Sequence, residues 1–129
     1  MTPLTRQWLR KADDDRRMAA AASRMRPPLH DMTCYHSQQA VEKYLKGLIN
    51  ELALTIPRVH DLERLLGVLL PHDGTLLPLR RVIDGLSEYA VEYRYPGLRA
   101  TKRQATTAMK KVERVRAEIR RRLGLKLRP

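Results

Sequence analysis

From Cys34 to Ala53 the chain runs twenty residues with no proline and one glycine, and two stripes share its helical spacing. Cys34, Gln38, Val41, Leu45, Leu48 and Leu52 recur at steps of three and four, which puts them on one face of a helix. His36, Gln39, Lys43, Lys46 and Asn50 keep the same rhythm on another face, and none of them is apolar. Such a helix is expected to pack on one side and to stay available on the other. A chain organised around it has to close a helical bundle over the apolar face.

The flanking segments carry the same period. Thr2-Pro3 opens a first helix, with a capping hydroxyl followed by proline at the first helical position. Leu4, Trp8, Ala12, Asp15, Ala19 and Ala22 trace its stripe to about Arg24, where Pro27-Pro28 stops it. Asp15 is the anomaly there: a carboxylate on a buried face needs a partner unless it sits at the edge and reaches water. Asp31 or Thr33 can cap the long second helix, which Ile56-Pro57 ends. Asp61 can cap a short third helix bearing Leu62, Leu65, Leu66, Leu69 and Leu70. After the turn Pro71-His-Asp-Gly74, Thr75 can cap a fourth helix. Leu79, Val82, Ile83, Leu86, Tyr89, Ala90 and Tyr93 hold its period up to Arg94-Tyr95-Pro96-Gly97. Thr101 opens the last helix, whose seam is Ala105, Ala108, Val112, Val115, Ile119 and Leu123, and Gly124 ends it. Nothing alternates with period two over a useful length. The expected fold is all-α: an up-and-down four-helix bundle with an additional short helix, in one domain over 1–129. Its core spans about 4–123 and its basic tail 124–129.

Composition limits what such a bundle can do. The 129 residues hold 26 Lys/Arg against 14 Asp/Glu, a net charge of +12. Residues 98–129 contribute 12 basic and 2 acidic side chains, so most of the excess belongs to the last helix and tail. Such a segment attracts nucleic acid or an acidic protein surface, although a basic run is also an ordinary solvated helix face. No apolar run approaches the roughly 20 residues that span a bilayer, and no membrane association is expected. The single cysteine excludes an internal disulfide framework, which sets a reducing cytoplasm as the expected location.

Catalytic signatures are sparse. His30, His36, His60 and His72 show no metal-ligand spacing and there is no glycine-rich phosphate loop, so no metal or cofactor is expected. Cys34 reads as a small buried residue rather than a nucleophile. Two polar clusters stand out besides the stripe. His60-Asp61 opens the third helix, where capping by Asp61 is a sufficient role. Arg94-Tyr95 lies where the fourth helix stops, and Arg94 can satisfy terminal carbonyls or pair with Asp15 and direct its remaining donors at a phosphate.

An ordered set of motifs resembles the HEPN family, the higher-eukaryote and prokaryote nucleotide-binding domain. The set is a Trp-bearing first helix, then Cys34-Tyr-His-Ser-Gln-Gln-Ala-Val-Glu-Lys-Tyr-Leu-Lys, then Pro57 followed by His60-Asp-Leu62, then Ser87-Glu-Tyr-Ala-Val-Glu-Tyr-Arg-Tyr-Pro96. The resemblance implies a helical bundle, usually a homodimer, often paired with a minimal nucleotidyltransferase in toxin–antitoxin couples. Many members are metal-independent ribonucleases using an Arg and a His four to six residues apart. Here Arg94 is followed by Tyr95, Pro96, Gly97, Leu98, Arg99 and Ala100, with no histidine. Arg24 and His30 meet the spacing only across Pro27-Pro28, outside the helical location of the motif.

The expectation is therefore a non-catalytic HEPN domain that binds nucleotide or RNA, dimerises and partners a nucleotidyltransferase. Lys43, Lys46 and Arg94 are the candidates for phosphate, His36 and His60 for base or sugar, and Tyr95 for stacking. One alternative is a ribonuclease toxin in which Arg94 works with a nonstandard histidine, His36 or His60. The other is a plain dimeric interaction module.

Overall fold

The computed structural model describes residues 1–90 and 95–127, and every regular element among them is helical. Five α-helices follow in order: α1 (Pro3–Arg24), α2 (His30–Glu51), α3 (Leu62–Leu69), α4 (Leu79–Ile83) and α5 (Lys102–Arg122). The all-α bundle expected from the sequence is the fold observed. Short 3-10 turns at Gly74–Leu76 and Ser87–Ala90 flank α4.

The centre of the bundle is α2. Thirteen of its residues are buried, including Ser37, Gln38, Glu42 and Lys46, so it is enclosed nearly all round. α1 covers one flank and α5 another, while α3 and the Ser87–Ala90 turn close the remainder. The expected division into a packed face and an open polar face is therefore corrected. Asp15 of α1 meets His36 and Lys43, and Asn50 donates to Thr2 and Thr5, which makes most of the stripe an interhelical layer. α1 comes close at Gly47, where an added Cβ would lie 3.3 Å from Trp8 Cβ. The buried face of α1 is Thr5, Leu9, Ala12, Asp15, Ala19 and Ala22, and Leu4 is exposed. Its first turn is thus rotated from the expected stripe. Asn50 and Glu51 reach Thr5 Oγ1, at 2.9 and 3.1 Å, and draw this polar residue inward.

Capping follows the sequence at three helices. Thr2 Oγ1 accepts the amide of Thr5 at 3.1 Å, and Asp61 accepts from Glu63 and Arg64. Thr101 and Gln104 form a reciprocal capping box on α5, at 3.1 and 2.8 Å. Thr101→Ala removes one donor–acceptor pair and should lower stability by about 1 kcal/mol in chemical denaturation. Elsewhere the expected caps are used differently. Leu29 occupies the N-cap of α2, Thr33 Oγ1 donates to Ala19 O at 2.9 Å, and Asp31 accepts the Ala100 amide at 2.6 Å. Asp73, two residues before Thr75, caps the Gly74–Leu76 turn.

The fourth helix is the largest difference. It stops at Ile83, and Gly85 turns the chain at φ +82°. That conformation suits glycine and lets Leu86 fold back under α4. Leu79, Ile83 and Leu86 are all buried, so the period identified the buried side chains while the backbone between them is broken. Tyr93 lies outside the described residues.

Candidate functional site

Two carboxylate–histidine groups link α2 to its neighbours, and between them they hold four of the six expected site residues. In the first, Asp15 of α1 sits between two residues of α2. Its Oδ1 is 2.9 Å from His36 Nδ1, and its Oδ2 accepts from Lys43 Nζ. The seven-residue separation of His36 and Lys43 is two helical turns, which brings both to one carboxylate. Asp15 is 9% exposed, so this anomalous acid is resolved by partners rather than by water.

In the second, Glu42 is 4% exposed and Lys46, one turn further along α2, donates to its Oε2 at 3.1 Å. Its Oε1 accepts from Gln38 at 3.2 Å and lies 2.8 Å from His60 Nδ1. The Lys46 ammonium also stands 5.7 Å from the Trp8 ring centroid, a cation–π distance. His60 precedes α3, held there by Gln38 donating to its carbonyl at 3.1 Å. The two histidines differ in access: the His60 side chain is 73% exposed and that of His36 only 17%. With Nδ1 anchored on Glu42, the His60 ring presents its other edge to solvent, an arrangement able to exchange a proton or hydrogen-bond a ligand.

The remaining expected residues are placed separately. Tyr95 is 62% exposed. Arg94 lies outside the described residues, as does any pairing of it with Asp15. Among the described residues no group of three His, Cys, Asp or Glu side chains could hold a metal ion.

Cys34 is fully buried, and burial, followed by the nearby charge of Asp31, pushes its thiol up to about 12. A thiolate is then scarce at neutral pH. The folded protein should resist alkylation at pH 8 and gain one label per chain in denaturant. Rapid labelling of the native state would contradict this burial.

On α5 the cations divide into two groups. Arg116 is 7% exposed and pairs with Asp13, which also accepts the Tyr44 hydroxyl at 2.5 Å. Burial, then that hydrogen bond, raises the Tyr44 hydroxyl above its ordinary range. Arg122 binds Asp73 and Glu118, Arg121 binds Glu118, and Lys111 donates to Asp84 O. Arg103, Lys110 and Arg114, by contrast, are exposed and have no ion pair or hydrogen bond among the described residues. With Arg121 they follow one another at seven, four and seven residues, opposite the buried seam of Ala105, Val112 and Ile119. The ridge runs about 27 Å along the helix. The sequence contains its signal, a basic heptad-like spacing out of phase with the apolar one, although α2 drew the site expectation instead.

Two open clefts lie at the surface of the bundle. One, of about 600 Å³, lies between α5 and α1 beside Met18 and Met109. The other, of about 730 Å³, lies between the start of α2 and residues 99–100. No helix among the described residues is long and apolar enough to cross a membrane.

One family sequence pattern, described as the HEPN domain, matches residues 5–122. No curated protein and no solved structure matches the chain.

Proposed function

The chain belongs to the HEPN domain family, a membership that supports a nucleotide- or RNA-related function in general, and from that premise we propose a non-catalytic RNA-binding protein. The observation that carries this reading is the contrast between the paired lysines of α2 and Arg103, Lys110 and Arg114 of α5, unpaired among the described residues. Lys43 and Lys46 already have carboxylate partners, and transferring either to a phosphate would leave Asp15 or Glu42 uncompensated. In this proposal they hold α2 in place, while Arg103, Lys110 and Arg114 meet the RNA backbone at no such cost. His60 and Tyr95, both exposed, supply contacts to sugar or base, and Arg94 adds a phosphate contact. His36 orients Asp15. The proposal extends to a homodimer and to a nucleotidyltransferase-family partner in a toxin–antitoxin-like pair.

Fluorescence anisotropy with a labelled RNA tests the reading. Three to four neutralised phosphates on a single strand correspond to a slope of about −2 to −3 in log K against log salt. Absence of binding at about 50 mM salt would remove the RNA-binding reading. A partner complex insensitive to salt would then favour the plain interaction module.

The His60–Glu42 geometry favours a second reading, a metal-independent ribonuclease in which His60 takes the 2′-hydroxyl proton. Cleavage of RNA in the presence of chelator, abolished by His60→Ala, is its expected signature. A blank assay with purified dimer would sink it.

A further inference from the structure

We propose that the cleft between the start of α2 and residues 99–100 receives one unpaired nucleobase, so that the protein selects single-stranded over duplex RNA. The inference rests on the RNA-binding reading and specifies which form of RNA is bound. Leu29 and Met32 line the cleft and are 41% and 42% exposed, leaving apolar surface open to water. A base edge or face laid against them would be removed from water at the same time. The Tyr35 ring, edge-on to His36 with centroids 5.2 Å apart, adds an aromatic wall.

Polar groups at the cleft decide between a base and a phosphate. Asp31 lines it, with one carboxylate oxygen accepting the Ala100 amide at 2.6 Å. Its negative charge opposes a phosphate in the cleft, whereas its second oxygen can accept from the N–H of a base. His30 Nδ1 is buried and has no hydrogen-bond partner among the described residues. His30 nonetheless lines the cleft, and an imidazole there can stack on a base. Arg99 also lines the cleft and has no ion pair or hydrogen bond among the described residues. It lies just before the capping Thr101 of α5, and its guanidinium can meet the backbone phosphate beside an inserted base. At about 730 Å³ the cleft has room for a nucleoside and accompanying water. Base insertion requires an unstacked strand, which a duplex does not offer without melting.

Anisotropy titrations with one RNA of about 12 nucleotides, single-stranded and annealed to its complement, test the inference on the full chain. The expected result is a preference of about tenfold or more for the single strand. His30→Ala/Met32→Ala should remove that preference while leaving duplex affinity unchanged, with the helical circular dichroism retained. Equal affinity for the two forms, or a preference that survives the double substitution, overturns the base site and leaves RNA binding standing. Loss of binding to both forms in the wild-type chain overturns the RNA-binding reading as well. If sedimentation shows the double substitution converting a dimer to a monomer, the cleft is a protein interface and the proposal fails.

Discussion

Glu42→Ala should destabilise the fold by about 3–5 kcal/mol, the largest loss expected from a single polar substitution in this chain. Glu42 is 4% exposed and Lys46 8%, so truncating the acid leaves a buried ammonium without its counter-charge. Gln38 and His60 each lose an acceptor at the same time. For a chain of this size the loss corresponds to a fall of about 10–20 °C in melting temperature. Glu42→Ala/Lys46→Met removes the orphaned charge together with its partner. It should recover more than half of the loss, because no buried charge is left without its counter-charge. A single substitution costing under about 1 kcal/mol would show that water reaches the pair and screens it.

Charge reversal along the ridge should have the largest effect on binding. Arg103→Glu/Lys110→Glu/Arg114→Glu is expected to weaken RNA binding on the order of 100-fold at about 50 mM salt and to flatten the salt slope by about 2. Stability should change little, because none of the three has a hydrogen bond or ion pair to lose among the described residues. Lys43→Gln provides the opposite pattern. It removes a cation from Asp15 in the α1–α2 layer, so it should lower stability and leave RNA affinity within about threefold. A large affinity loss with Lys43→Gln, and none with the triple reversal, would return the site to α2.

The contrast between those lysines and the α5 ridge shows where sequence reasoning stops. Lys43 and Arg103 are both basic residues at regular helical spacing, and no local property separates a paired cation from a free one. The difference is set by Asp15, which lies 28 positions before Lys43 and reaches it only because α1 packs along α2. His36 and His60 pose the same problem: each meets a carboxylate through Nδ1, yet only His60 remains accessible. The choice of cap at α2 is tertiary as well, since Asp31 is drawn across to the Ala100 amide, 69 residues away.

Periodicity alone determined the all-helical class, the extents of α1 and α5 within a residue or two, and most of the apolar core, although it missed the buried Leu9, Tyr44 and Ile49 and placed the exposed Leu4 and Leu52 inside. Each of these rests on local spacing, proline and glycine breaks, and caps formed within a few residues. Burial at Leu79, Ile83 and Leu86 was determined in the same way. Tertiary packing decided that α2 lies at the centre rather than on a face, because a helix whose polar stripe meets matching charges can be covered on both sides. It also decided that the fourth helix breaks at Gly85, and which cations remain free for a partner. Those outcomes depend on pairings between residues distant in the chain, and no local periodicity contains them.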